Sequence, residues 1–260
     1  MRRGRRASEL LAAAAGYLRD LGVPDPRVDA EILLAHVLKE TRERILLIGD
    51  DALPLPRIRA FNRAVARRGA REPVAYITGV KEFYGLSLKV TPSVLIPRPE
   101  TEILVERAIA LHPRRVLDLG TGSGAIAAAL AAALPDAEIV ATDVSAAALG
   151  IAKKNLPARV VLKEGPEFEP VRGESFDLVV SNPPYIPTAD IDGLDPEVRK
   201  EPRIALDGGP DGLAFVRRIL KGAKRALVEI GAGQSDVLRS EFRGVRFHKD
   251  LTGIERVVEQ

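Results

Sequence analysis

The stretch RVLDLGTGSGAI, residues 115–126, decides the fold of this chain. Its first five residues form a short apolar run that is typical of a buried strand, and a helical pattern begins directly at Ala125. Glycines between a strand and a helix permit a tight turn and let the backbone approach a ligand above the helix N-terminus. We therefore predict a ligand-binding turn at Gly120, Thr121, Gly122, Ser123 and Gly124.

Short apolar runs alternate with helical patterns on the C-terminal side of this turn. Strands are predicted at 115–119, 138–142, 159–162, 176–181 and 225–230, with a terminal pair at 245–248 and 254–258. Helices are predicted at 125–134, 146–155, 213–223 and 235–242. This alternation predicts an α/β fold with a doubly wound, mostly parallel seven-stranded sheet.

The N-terminal side has a different pattern. From Ala7 to about Arg71 the pattern is helical, with apolar residues three and four apart and breaks at 22–26 and 54–56. Residues 1–72 are therefore expected to form a small helical bundle. Residues 73–92 contain β-branched and aromatic residues around Gly79 and Gly85, which predicts a β-hairpin linker. Residues 93–260 then form the domain that carries the glycine-rich turn.

Composition excludes several classes of protein. The 260 residues contain no cysteine, which excludes a disulfide framework and thiolate metal sites and favours a reducing compartment such as the cytoplasm. No run approaches the roughly 20 apolar residues of a membrane span, so no membrane association is expected. The three histidines are isolated from one another, and no metal site is predicted.

Charge is spread unevenly along the chain. Residues 1–72 hold 15 Lys and Arg against 10 Asp and Glu, whereas residues 73–260 hold 24 against 26. The basic part could face RNA, a ribonucleoprotein or an acidic protein, or it could be an ordinary solvated helical surface. With 4% aromatic residues, a stacking platform for single strands has little support, so we expect no stable nucleic-acid partner.

A carboxylate marks the end of the second predicted strand. Asp143 follows Gly120 by a little over twenty residues, where a carboxylate can accept hydrogen bonds from both ribose hydroxyls of a nucleotide. The glycine turn and Asp143 together indicate an adenosine-type ligand. They leave NAD and S-adenosylmethionine open, because Gly120, Gly122 and Ala125 also satisfy the dinucleotide fingerprint.

The motif Asn182-Pro183-Pro184-Tyr185 follows the fourth predicted strand and favours S-adenosylmethionine. A planar NH₂ group is a poor nucleophile that must be held in place, and two acceptors can hold it: the side-chain oxygen of Asn182 and the backbone carbonyl of Pro183. The prolines restrict the backbone, and the Tyr185 ring can stack on the planar group. Methyl transfer to such a nitrogen is then mainly a matter of alignment. We predict a class I methyltransferase-like sheet, with Asn182 also bordering the cofactor.

With these motifs the chain resembles the HemK/PrmC family of protein glutamine methyltransferases. The resemblance also includes EPVAYITG at 72–79, EF at 82–83 and LIPRPETE at 95–102. It implies that the glycine turn and Asp143 hold S-adenosylmethionine. It further implies that residues 182–185 bind the glutamine amide in the Gly-Gly-Gln motif of peptide chain release factors, and that residues 1–72 dock this substrate. Three residues would form a wall of the active site or simply a helix N-terminus: Arg98, Glu100 and Thr101.

One segment departs from the family pattern. Where the family has an acidic residue followed by an aromatic after the third strand, this chain reads KEGPEF at 163–168. Glu164 or Phe168 could supply the adenine contact, or Pro166 could supply a flat apolar face.

Other readings of the same motifs lead to different substrates. The nitrogen that accepts the methyl group could belong to an exocyclic amine of DNA or RNA, although residues 73–260 are slightly acidic. It could also belong to a glutamine of a ribosomal protein. A nicotinamide-dependent oxidoreductase would leave residues 182–185 unused, and a non-catalytic binding protein would bind cofactor without turnover. The expectation is a cytoplasmic monomer that methylates release factors.

Overall fold

A computed structural model describes residues 6–48 and 51–260. The chain divides into two compact units. The first contains the residues up to Gly79 together with Pro196–Lys200, and the second contains Val80–Asp195 and Glu201–Gln260. Within the described ranges, no helix is long and apolar enough to cross a membrane.

The first unit is a small bundle of helices, as the sequence predicts. Its helices are α1 (Ala7–Asp20), α2 (Pro26–Leu38), α3 (Arg42–Ile48), α4 (Leu55–Gly69) and α5 (Val74–Thr78). Prolines lie in the first turn of both α2 and α4. Backbone N–H groups in a first turn have no partner within the helix, so the N–H that proline lacks costs no hydrogen bond there. The core is made of fully buried side chains that include Leu18, Leu33, Leu34 and Phe61.

A buried ion-pair network joins residues 196–200 to this bundle. Arg68 donates to Asp29 Oδ2 at 2.6 Å and to Glu197 Oε1 at 2.6 Å, while Arg71 donates to both carboxylate oxygens of Glu197. Burial alone would raise the pKa of Glu197, but the hydrogen bonds from Arg71 and Arg68 outweigh it and lower the pKa to about 2. Glu197 therefore stays ionised and anchors its segment to the first unit.

The prediction of a β-hairpin at 73–92 is wrong for the first residues of that range. The strands are β1 (Val80–Phe83) and β2 (Leu86–Lys89), which pair antiparallel across a two-residue turn at Tyr84 and Gly85. Residues 74–78 instead form α5, which ends at Gly79 with a φ of 77°. Val74 and Ile77 lie three residues apart and pack on the core of the first unit, a spacing that a helix places on one face.

The second unit has the predicted doubly wound sheet. Its strands are β3 (Arg115–Leu119), β4 (Glu138–Asp143), β5 (Val161–Glu164), β6 (Leu178–Ser181), β7 (Ala226–Glu229), β8 (Arg246–Lys249) and β9 (Glu255–Glu259). The helices are α6 (Glu102–Ala110), α7 (Ala125–Ala133), α8 (Ala146–Asn155), α9 (Ala214–Gly222) and α10 (Ser235–Glu241). The seven-stranded sheet has the order β5-β4-β3-β6-β7-β9-β8, with β9 antiparallel to both of its neighbours.

Packing on both faces of the sheet explains the apolar strands. Val116 of β3 belongs to one core cluster, whereas Leu117 and Leu119 belong to the cluster on the other face. β3 pairs in parallel with both β4 and β6, so the strand order reverses at β3. Ligands of doubly wound folds bind beyond the carboxyl ends of the strands at such a point.

Candidate active site

The glycine-rich turn lies at the carboxyl end of β3. Gly120, Gly122 and Gly124 have φ angles of 75°, 56° and 82°, which side chains rarely adopt. A Cβ atom on Gly120 or Gly122 would meet no atom within 4 Å, because both residues face open space. A Cβ on Gly124 would lie 3.1 Å from Leu156, so this glycine lets α7 and α8 pack closely. The first two glycines therefore shape the cavity, and the third shapes the helix packing.

A cavity of about 370 Å³ lies over this turn. It brings together predicted site residues from the ends of four strands and from the start of α6. Those that line it are Thr101, Gly120, Thr121, Gly122, Ser123, Asp143, Pro166, Asn182, Pro183 and Pro184. Its wall does not include the remaining predicted residues: Arg98, Glu100, Gly124, Phe168 and Tyr185.

Asp143 is held rigidly at the end of β4. Its Oδ2 accepts a hydrogen bond from the backbone N–H of Gly122 at 2.9 Å, and its Oδ1 accepts one from the N–H of Ser145 at 2.9 Å. Each carboxylate oxygen keeps a further lone pair, which can accept from a ribose hydroxyl. The open space at the glycines and this oriented carboxylate fit an adenosine-type cofactor.

A second carboxylate, Asp118, lies beneath the turn. It is 0% exposed, and its Oδ2 accepts from Thr121 Oγ1 at 2.6 Å and from the N–H of Ala127 at 3.2 Å. Burial raises its pKa to about 7. Its Oδ1 has no hydrogen-bond partner among the residues that the structure describes. Asp118 is not among the predicted site residues, although a carboxylate within an apolar strand is a signal in the sequence.

Asn182, a residue of the cavity wall, has a side-chain acceptor without a partner. Its Nδ2 donates to Thr101 Oγ1 at 3.0 Å, which binds the nitrogen end of the amide. Its Oδ1 is buried and has no partner within 6–48 and 51–260. A buried acceptor without a partner costs free energy, so a ligand N–H is the natural group to fill it. This geometry fits the predicted role of Asn182 as one of two acceptors for a planar NH₂ group.

Glu229 at the end of β7 connects Thr101 with Tyr185. The Thr101 hydroxyl donates to Glu229 Oε2 at 2.5 Å, and the Tyr185 hydroxyl donates to Glu229 Oε1 at 3.1 Å. Burial raises the pKa of Glu229 to about 7, and burial and the nearby carboxylate raise the pKa of Tyr185. The sequence reasoning missed Glu229, because nothing local shows that β7 ends beside α6 and β6.

The Tyr185 side chain is placed differently from the predicted stacking position. Its ring is not part of the cavity wall, and its hydroxyl is bound to Glu229. Its backbone carbonyl accepts from Gln234 Nε2 at 2.8 Å. Both bonds fasten the loop that follows Asn182, so Tyr185 supports this loop in the structure.

The segment before α6 is fastened by Glu201. Arg98 Nη2 donates to Glu201 Oε1 at 2.5 Å, and Glu201 Oε2 accepts from the N–H of Ile96 at 2.9 Å. Glu100 is exposed at the first helical turn. Of the three predicted wall residues, only Thr101 lines the cavity, while Arg98 stabilises the segment that carries it.

Of the three residues after β5 that could contact adenine, one lies in the cavity wall. Pro166 lines the cavity, whereas Glu164 is exposed, and a Cβ on Gly222 of α9 would lie 2.7 Å from the Phe168 ring. The aromatic side chain in the cavity wall is Phe215 of α9, with the Arg218 guanidinium 4.3 Å from its ring centre. No sequence signal pointed to Phe215, because the approach of α9 to the cavity depends on tertiary packing.

The residues that the structure describes contain no candidate metal-binding site. No group of three or more His, Asp or Glu side chains there is arranged to hold a metal ion.

Comparison with known proteins relates both parts of the chain to one family. Residues 9–79 match the family model of the PrmC N-terminal domain, and residues 99–193 match that of the methyltransferase small domain. The release factor glutamine methyltransferase of Geobacter sulfurreducens is 46% identical over 261 residues, covering 94% of this chain and 92% of that protein. The release factor glutamine methyltransferase of Moorella thermoacetica is 43% identical, covering 93% of this chain and 91% of that protein.

Solved structures share the fold at much lower identity. The hMettl16 catalytic domain in complex with MAT2A 3'UTR hairpin 6 has a TM-score of 0.53 and 21% identity, over 74% of this chain and 80% of that chain. This likeness concerns the fold, whereas the curated relatives match nearly the whole length. On that similarity the chain belongs to the family of release factor glutamine methyltransferases.

Proposed function

We propose that this enzyme transfers a methyl group to the side-chain amide nitrogen of the glutamine in the Gly-Gly-Gln motif of peptide chain release factors. The chain is a methyltransferase that uses S-adenosylmethionine, as its family membership shows. The observation that carries the substrate proposal is the buried, unpartnered Oδ1 of Asn182, a residue of the cavity wall. An acceptor in this position requires a substrate that brings an N–H group.

The chemistry of a carboxamide explains why alignment matters. The nitrogen lone pair is delocalised into the carbonyl, so the nitrogen reacts only when it is held in line with the methyl group. Asn182 Oδ1 and the backbone carbonyl of Pro183 can each accept one N–H of the amide, and the prolines limit the freedom of both acceptors. S-adenosylmethionine supplies an activated methyl group on a sulfonium. In the transfer the amide nitrogen would gain this methyl, the S–CH₃ bond would break to leave S-adenosylhomocysteine as a neutral thioether, and one amide proton would pass to water. Catalysis comes mainly from proximity.

The cofactor, in this proposal, is held by residues from the ends of three strands and from α9. The backbone at Gly120 and Gly122 leaves room for it, Asp143 accepts from the ribose hydroxyls, and Pro166 and Phe215 offer apolar surfaces to adenine. Support comes from the open space at both glycines and from the oriented carboxylate.

Residues 1–72 are proposed to dock the release factor, and residues 73–92 to connect them to the catalytic domain at 93–260. The match of residues 9–79 to the PrmC N-terminal domain supports a family-specific role, and the surplus of basic side chains suits an acidic partner surface. We further propose that the enzyme works as a monomer in the cytoplasm, where release factors act, without a stable nucleic-acid partner. Light scattering on the purified protein tests the monomer.

Labelled S-adenosylmethionine tests the substrate. The purified enzyme is incubated separately with release factors, ribosomes, RNA and DNA. We expect label in the release factor, and mass spectrometry should place it on the Gly-Gly-Gln glutamine. A release factor with asparagine in place of that glutamine is the matched control and should stay unlabelled. Label confined to nucleic acid or to a ribosomal protein would overturn the proposal.

The variant Asn182→Ala tests the residue that carries the argument. We expect methyl transfer to fall by about a hundredfold or more, because the amide nitrogen loses one of its two acceptors and its alignment. Cofactor affinity, measured by calorimetry with S-adenosylhomocysteine, should change little, because Asp143 and the glycine turn are untouched. Full activity of the variant would contradict the proposed role of Asn182.

A further inference from the structure

We propose that Thr101 and Glu229 are positioning residues that hold the Asn182 amide in the one orientation that selects a carboxamide and rejects a carboxylate. This inference rests on the proposed function, and it concerns how the same site distinguishes glutamine from glutamate.

The direction of the hydrogen bonds follows from the donors that are available. The ionised Glu229 carboxylate can only accept, so the single hydrogen of the Thr101 hydroxyl is donated to Glu229 Oε2 at 2.5 Å. Thr101 Oγ1 can then offer only a lone pair to Asn182, 3.0 Å away. Only the nitrogen end of the Asn182 amide can meet that lone pair, so Oδ1 is left for the substrate.

Burial protects this orientation from water. Thr101 is 3% exposed, Glu229 is 1% exposed, and the Oδ1 atom of Asn182 is buried as well. The other carboxylate oxygen of Glu229 is occupied by the Tyr185 hydroxyl, which fixes the carboxylate from its second side. A rotated amide would place Oδ1 against the Thr101 lone pairs, where no solvent compensates for the repulsion.

With Asn182 held in this orientation, the site prefers substrate groups that donate hydrogen bonds over groups that only accept them. A glutamine amide brings two N–H groups to Asn182 Oδ1 and the Pro183 carbonyl. A glutamate carboxylate at the same position brings only oxygen atoms, which repel both acceptors. An Asn182 amide that could rotate freely would offer Nδ2 to the carboxylate and weaken the discrimination. Thr101 and Glu229 therefore act on specificity through the orientation of Asn182.

The variant Thr101→Val tests this, because valine keeps the shape and removes the hydroxyl. Two quantities are measured: kcat with the release factor, and inhibition by a release factor whose Gly-Gly-Gln glutamine is replaced by glutamate. We expect kcat to fall about tenfold to a hundredfold, and the glutamate form to inhibit about tenfold more strongly relative to KM. Affinity for S-adenosylhomocysteine should stay unchanged.

The matched variant Thr101→Ser keeps the hydroxyl and should restore both quantities to within about threefold of the unmodified enzyme. A loss of kcat in Thr101→Val with unchanged discrimination against the glutamate form would overturn the inference, since a merely structural role predicts that result. If Thr101→Val fails to fold by circular dichroism, Tyr185→Phe decides, because it frees one side of Glu229. Unchanged discrimination in that variant overturns the inference as well.

The outcome also separates this inference from the proposed function. If the unmodified enzyme methylates no glutamine at all, the proposed function fails. If it methylates the release factor but the Thr101 variants discriminate as it does, only the positioning role fails.

Discussion

Replacing Glu229 by glutamine should remove a pH dependence of stability. Burial raises the pKa of Glu229 from the ordinary 4.5 to about 7 in the folded protein. Because the folded-state pKa is the higher one, this carboxyl contributes stability below pH 4.5 that is lost as the pH rises through 7. The difference between the two pKa values corresponds to about 3 kcal/mol of unfolding free energy. Glutamine has no such titration, keeps the shape and can still accept from Thr101.

The assay is urea unfolding followed by far-UV circular dichroism, for the unmodified protein and Glu229→Gln side by side. From pH 4.5 to about pH 8, the free energy of unfolding of the unmodified protein should fall by about 3 kcal/mol relative to the variant. Taking the difference cancels the contribution of Asp118, whose pKa is also raised.

Glu106→Gln is the matched control, because Glu106 is an exposed glutamate on the neighbouring helix α6. The free energy of unfolding of Glu106→Gln should differ from that of the unmodified protein by the same amount at every pH between 4.5 and about 8. A constant difference for Glu229→Gln, or one that changes in the opposite direction, would refute the reasoning that burial destabilises the ionised carboxyl.

Three further substitutions test the site and the first unit. Asp143→Asn places an NH₂ group beside a backbone N–H, so the Kd for S-adenosylhomocysteine should rise about tenfold in calorimetry, while exposed Asp136→Asn should bind normally. Gly124→Ala puts a Cβ 3.1 Å from a neighbouring side chain at a φ of 82° and should cost about 1–3 kcal/mol in urea unfolding. Gly150→Ala is the control: a Cβ at Gly150 would meet no atom within 4 Å, so this variant should not destabilise α8. Glu197→Gln should cost about 3 kcal/mol at neutral pH, and this cost should disappear as the pH falls from 4.5 towards 2; a constant cost would contradict the low pKa.

Local signals were sufficient for most of the fold. The predicted strands and helices of the second unit agree with the structure to within two residues at each end, because alternating periodicity and glycine turns are properties of short segments. The hairpin failed at Val74–Thr78, where β-branched and aromatic residues form a helix. Intrinsic preference for strands is weak there, and packing on the helical core outweighs it.

The candidate site, like the fold, has a part that the sequence predicts and a part that it does not. The sequence by itself determined the glycine turn, Asp143 and Asn182, because each follows directly from a strand that a short pattern identifies, and parallel strands end at one edge of the sheet. Only the tertiary structure decided that Phe215 reaches the cavity while Phe168 packs elsewhere, and that Glu229 meets Thr101 and Tyr185. These contacts join residues far apart in the chain, and their distances are set by how helices pack on the sheet, which no local pattern records.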